Sequence, residues 1–259
     1  MESILNLIED KSEKLSKNPF CEWILSEKHL SHEETFSFTP SMLYFILGFR
    51  DILNHLEYKN PQTELEKMIN QHCLEDKNHW QWYLQDLKTL GFSEASWGND
   101  WVNLIENLWH DDSKPTRDLV YLCIHLIKKH NSPVASLVII ECLESTFGVF
   151  MSTLKKRFEN SSIYQRLHFF GQVHQQQEMN HSMGHWIESD TAPVPIHSNA
   201  HALENMKITD VEKKELTQTI ELIYEQFELV FKTWLKSKSI FTPGLSVQKP
   251  LRFTAELQN

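Results

Sequence analysis

His72-Cys73-Leu74-Glu75-Asp76-Lys77-Asn78-His79 and His174-Gln175-Gln176-Gln177-Glu178-Met179-Asn180-His181 share one pattern, His-x-x-x-acid-x-Asn-His, written twice about a hundred residues apart. In an α-helix each residue advances about 100°, so positions i, i+4 and i+7 fall within about 60° of one another. Read as helix, each octet aims two imidazoles and a carboxylate at one spot. That is the ligand set of a transition-metal site, and two such sets suggest a dinuclear one. Either octet alone would also suit a solvated helix face; the repetition favours the metal.

Between the octets, Leu137-Val138-Ile139-Ile140-Glu141-Cys142-Leu143-Glu144 places two carboxylates, at i and i+3, in an otherwise apolar run. A buried carboxylate without a cation is costly, so it pairs or becomes protonated. One or both of Glu141 and Glu144 are therefore expected to complete the site, bridging two ions. Glu75 neighbours Asp76 and could take its place. His185 continues the stripe of His174, Glu178 and His181, either as a partner of a ligand or as an exposed residue. Ser145, Gly148 and Ser152 follow the carboxylates at helical spacing, and either leave room for dioxygen and a substrate or serve close helix packing. Arg50-Asp51 reads as a buried ion pair, or more sharply as an anchor for a substrate carboxylate.

Around these motifs the periodicity is helical nearly throughout. Helices are expected over 2–16 and 18–31, over about 40–59 behind Thr39-Pro40, and from Asn60-Pro61 to a C-cap at Gly91. Others are expected over 93–110, 115–129, 133–157 and 162–188, and from a Thr209-Asp210 cap to about Lys238. Residues 189–199 read as a loop and 240–259 as an irregular tail. No Gly- or Ser-rich linker interrupts the chain. The expectation is all-α: residues 1–259 as one helical domain with a bundle core over about 40–238.

The 259 residues suffice for a substantial core, and 41% hydrophobic with 23% charged residues is the balance of an ordinary globular protein. A formal charge of −10 with no basic stripe argues against nucleic acid. The longest dense apolar run read from the sequence, Met42 to Phe49, is too short to span a bilayer, so no membrane partner is expected. No basic n-region precedes an apolar leader, which makes the cytoplasm the expected location. Cys21, Cys73, Cys123 and Cys142 lie far apart, without C-x-x-C, and read as reduced, mostly buried thiols. Phosphate-loop, G-x-S-x-G, H-E-x-x-H and dinucleotide signatures are absent, as are paired Glu-x-x-His motifs.

The stretch His72-x-x-Glu75-Asp76-x-x-His79-Trp80-x-Trp82-x-Leu84-x-Asp86-Leu87-x-x-Leu90-Gly91 resembles the heme-oxygenase-like helical superfamily. Its nearest likeness is to the branch of iron-containing redox enzymes, or heme-oxygenase-like dimetal oxidases, related to the TenA and PqqC proteins. The resemblance covers roughly residues 40–190. It implies a heme-oxygenase-like multi-helical bundle. It also implies a ligand set matched by His174, Glu178 and His181, by Glu141 or Glu144, and by Asp76 (or Glu75) with His79. Many members carry Glu where this chain has His72, an extra imidazole that bears on metal preference. The implied cofactor is a pair of iron ions, with manganese or a mixed pair as the alternative. The implied activity is O2-dependent oxidation of an amino acid, an amine or a fatty acid, by N-oxygenation, desaturation or C–C cleavage. The partners expected are O2, a small-molecule substrate and, for the chain itself, a homodimer. The competing readings are a metal-free TenA- or PqqC-like enzyme and a small-molecule binding or scaffold protein of the same fold. Heme oxygenase activity ranks lower, since no single His stands apart as a proximal ligand.

Overall fold

The structure is a computed structural model that describes residues 1–92, 105, 106, 108–174, 203 and 206–237. Among these residues every regular element is helical. They are α1 (Glu2–Ser16), α2 (Pro19–Ser26), α3 (His32–Thr35), a 3-10 turn (Thr39–Met42), α4 (Leu43–Leu56), α5 (Glu64–Asp76) and α6 (His79–Thr89). A second 3-10 turn (Asp111–Ser113) precedes α7 (Lys114–His130), α8 (Pro133–Phe158), α9 (Ser162–Arg166) and α10 (Asp210–Ser237).

The centre of the bundle is α8. Residues 135–146 are buried without interruption, the pattern of a helix covered on all sides rather than an amphipathic one. It packs against α1, α2, α5, α7 and α10. By length and composition α8 could cross a membrane, with a mean hydropathy of 1.7 in its most apolar window, but 83% of that window lies inside the protein. Its apolar surface forms the bundle core, as expected of the 133–157 helix. An aromatic cluster sits beside it: Phe20 packs edge-on against Phe38 at 4.8 Å, and Trp234 lies 6.0 Å from Phe150.

Local chemistry sets most helix ends. Thr63 and Glu66 form a capping box at the start of α5: the Thr63 hydroxyl accepts the Glu66 N–H at 3.2 Å, and Glu66 accepts the Thr63 N–H at 2.9 Å. Thr209 and Glu212 repeat the device before α10. Asn131 ends α7 in the left-handed region at φ 44°, and Gly91 follows α6 at φ 81°.

Three expected helices are shorter than their periodicity suggests. The second stops at Ser26. The helix expected from Asn60 to Gly91 starts at Glu64 and is interrupted at Lys77 and Asn78, where Asn78 adopts φ −110°, ψ 0°. Asn favours such departures because its side chain competes for nearby backbone groups. The helix expected over 162–188 is broken at 167–171: Leu167 is extended at ψ 137° and helix resumes only at 172–174. Most of the expected 93–110 helix, the 189–199 loop and the 240–259 tail lie outside the described residues.

Candidate metal centre

The first octet does not lie on one continuous helix. His72 and Asp76 occupy the last turns of α5, and His79 opens α6 after the break. The residues still converge. His72 Nε2 lies 3.1 Å from Asp76 Oδ2 and 3.3 Å from Glu144 Oε1, which reaches in from α8. One ligand atom from each of these three side chains lies within 4.8 Å of the others, close enough to share an ion. All three are buried, at 4%, 2% and 5% exposure. His79 Nδ1 stands 3.8 Å from the second Asp76 oxygen.

His174, buried on the far side, completes the described part of the cluster. Its ring centroid lies 4.2 Å from that of His79, with the two planes at 63°. His174 Nδ1 donates to the Phe169 carbonyl at 2.9 Å, which fixes the tautomer and leaves Nε2 as the lone-pair nitrogen, the usual second-sphere arrangement for a histidine ligand. Burial holds its pKa below the ordinary imidazole value, so the ring is neutral and able to ligate. His72 behaves oppositely. Burial alone would depress it, but Asp76 and Glu144 together raise it well above the usual value.

The turn that delivers His174 is tied from outside. Both oxygens of the buried Asp86 on α6 accept backbone N–H groups, from His168 at 2.8 Å and Phe170 at 2.9 Å. Gly171 sits so close to the carbonyls of Tyr164 and Leu167 that a Cβ there would collide with backbone. Nothing local in the sequence marks Asp86 for this task.

Of the two α8 carboxylates, Glu144 joins the cluster. Glu141 is fully buried one turn earlier and is outside the converging group among the described residues. It lies near Tyr224, whose phenol is pushed up by burial, helped by Cys142 and Glu141. Asp76, and not Glu75, belongs to the converging group among the described residues; the Glu75 carboxylate accepts from Gln71 Nε2 at 2.6 Å. Glu178, His181 and His185 lie outside the described residues.

The cluster opens onto a cavity of about 60 Å³ with aromatic walls, among them Phe45, Phe49, Phe147, Phe150, Phe227 and Trp234. The α4 side was legible as Met42, Phe45, Ile46, Phe49 and Arg50 at one-face spacing, a stripe that sequence reading absorbs into the core. Ser145, Gly148 and Ser152 do not line the cavity; α8 presents Leu143, Glu144, Thr146, Phe147 and Phe150 instead. Arg50 is not a buried ion pair with Asp51. Both are exposed, and Arg50 borders the cavity. The four cysteines are buried and unbridged, as expected.

No family model matches the chain. No curated protein matches it either. Solved structures do. A domain of unknown function with a heme oxygenase-like fold from Shewanella denitrificans is similar over 96% of each chain, with 14% identity and a TM-score of 0.62. A TenA homologue from Pseudomonas syringae pv. tomato is similar over 91% of this chain and 92% of its own, with 10% identity and a TM-score of 0.58. The fold is therefore all-α and heme oxygenase-like.

Proposed function

We propose that this chain is a non-heme di-iron oxidoreductase that uses O2 to oxidise a small organic molecule held in the aromatic cavity. One observation carries the reading: His72, Asp76 and Glu144, from two helices, bring buried ligand atoms within 4.8 Å of one another, and Asp76 and Glu144 line that cavity. Neutral imidazole and anionic carboxylate donors suit a transition metal; Asp76 and Glu144 balance the charge of one divalent cation, and a second would draw on the further carboxylate candidates. His72, Asp76, His79, Glu144 and His174 would hold the metal from the described side, with Glu178, His181 and Glu141 as the remaining candidates.

Bound iron would supply the electrons that reduce O2. The chain's own contribution is to position and exclude. His174 is oriented by its Phe169 bond and packed between Phe147 and Phe169, at 4.7 and 4.8 Å between rings. Trp82 stacks on His79 at 4.9 Å. These rings keep water from the ligands, while the aromatic walls place an apolar substrate beside them.

A second reading has a specific observation in its favour. His72 already pairs with both carboxylates, so the cluster can neutralise much of its own charge with a proton in place of a metal. That would suit a metal-free enzyme or binding protein of the same fold. Metal analysis of protein produced with supplemental iron separates the two. About two irons per chain, lost in the double variant His174→Ala/His181→Ala, supports the di-iron centre; iron-fed protein that carries no iron favours the second reading.

A further inference from the structure

The charged and ligating side chains that line the cavity divide into an inner and an outer set. Asp76, His79, Glu144 and His174 are buried. Of the described residues that line the cavity, Arg50 and Lys77 alone are exposed, so they mark its mouth. Ile46 and Arg50 lie one turn apart on α4, and one face of that helix passes from apolar wall to cation. Lys77 follows Asp76 at the end of α5, which packs against α4.

The two sets differ in how their charge is met. Asp76 and Glu144 are answered within the cluster, by His72 at 3.1 and 3.3 Å. Arg50 and Lys77 have no carboxylate within ion-pair distance among the described residues. The charge left over at the cavity is therefore positive, on a chain whose formal charge is −10. A divalent ion in the cluster would add to it. Apolar walls behind a charged rim focus that field at the mouth. The attraction needs no fixed aim, because both side chains are long and exposed and act as charges rather than as directed donors.

We infer that the cavity takes a small apolar carboxylic acid, with its hydrocarbon part between the aromatic walls beside Ile46 and its carboxylate at the rim with Arg50 and Lys77. An ammonium head would meet two cations at the mouth, and a neutral head would forgo their attraction. Volume limits the tail. A cavity of about 150 Å³ admits benzene, so a smaller one holds about three or four carbons; this one measures about 60 Å³. That is the size of isovalerate rather than of a long acyl chain. The inference rests on the proposed oxidase for the acid's role as substrate, while binding of the acid is a property of the cavity and holds in metal-free protein.

The test uses the full chain, stripped of metal by chelation and 13C-labelled at the isoleucine δ-methyls. It is titrated at low salt with isovalerate, its neutral near-isostere isovaleramide, and the cation isopentylammonium. The Ile46 methyl, assigned by its loss in Ile46→Val, reports a ligand inside the cavity. Isovalerate is expected to move it with an affinity about 3- to 10-fold above that of isovaleramide, a preference that shrinks as sodium chloride is added, and isopentylammonium should bind weakest. Arg50→Gln and Lys77→Gln should each weaken isovalerate about 2- to 5-fold and leave isovaleramide unchanged. Comparing the two ligands within one variant cancels any change in the fold, and the unmutated chain decides the sign of the preference without a variant. Equal affinity for isovalerate and isovaleramide, a preference for the ammonium, or an Ile46 methyl that isovalerate does not move overturns the inference. Because no metal is present, failure here leaves the iron analysis untouched, and absence of iron leaves this result standing.

Discussion

The Asp86 carboxylate on α6 holds the Phe170 amide at 2.9 Å, four residues before His174. With the His168 amide on its other oxygen, this buried side chain caps a turn that has no helix of its own to satisfy it. Asp86→Ala would strand two buried N–H groups and let the segment drift. Loss of about 2–4 kcal/mol in stability is expected, measured by urea unfolding. A fall in bound iron should accompany it, since His174 is carried by that turn.

Glu144 and Glu75 form a matched pair of acidic residues with opposite expected outcomes. Glu144→Gln removes a carboxylate that lies 3.3 Å from His72 and should lower iron stoichiometry in iron-fed protein by at least about half. Glu75→Gln alters a carboxylate bonded to Gln71 and should leave it unchanged. Inductively coupled plasma analysis of both variants reads the difference directly.

Helix α4 approaches α7 closely at Gly48. A Cβ there would meet Val120 Cγ2 at 2.8 Å and Cγ1 at 3.0 Å, and a β-branched side chain has little freedom to yield. Gly48→Ala is therefore expected to cost about 1–2 kcal/mol despite the better helix propensity of alanine. Adding Val120→Ala should recover part of that loss. A double-mutant cycle by chemical denaturation checks the coupling.

The His130 pKa is lowered by burial, with help from Lys129, and its Nε2 is 2.8 Å from the Thr219 hydroxyl. A histidine depressed in the fold binds its proton more readily when unfolded. The His130 contribution to stability therefore falls as the pH drops from about 6.5 toward the folded value, and is level above 6.5. Thermal melts across this range should show the slope, and His130→Gln should reduce it.

Sequence reading reached the composition of the cluster better than its geometry. The repeated octets named His72, Asp76, His79 and His174, and the apolar run around Glu144 marked α8 as central. Both octets were read on unbroken helices, and for the first that is wrong: Asn78 interrupts it, and His79 reaches Asp76 from a new helix. The break at 167–171 had no local signal, because its amides are satisfied by Asp86 from a distant helix. The cavity was hidden for a related reason. Phe45, Phe49, Phe227 and Trp234 have helical spacing whether their rings meet other rings or enclose empty space, and only the packing decides which.

The continuous burial of α8 bears on how the molecule breathes. Residues 135–146 of α8 are buried throughout, so their amide protons should be among the last to exchange with deuterium, through near-global opening alone. Any opening of the cavity short of that would come from the other walls, with the glutamate as the fixed reference around which they move.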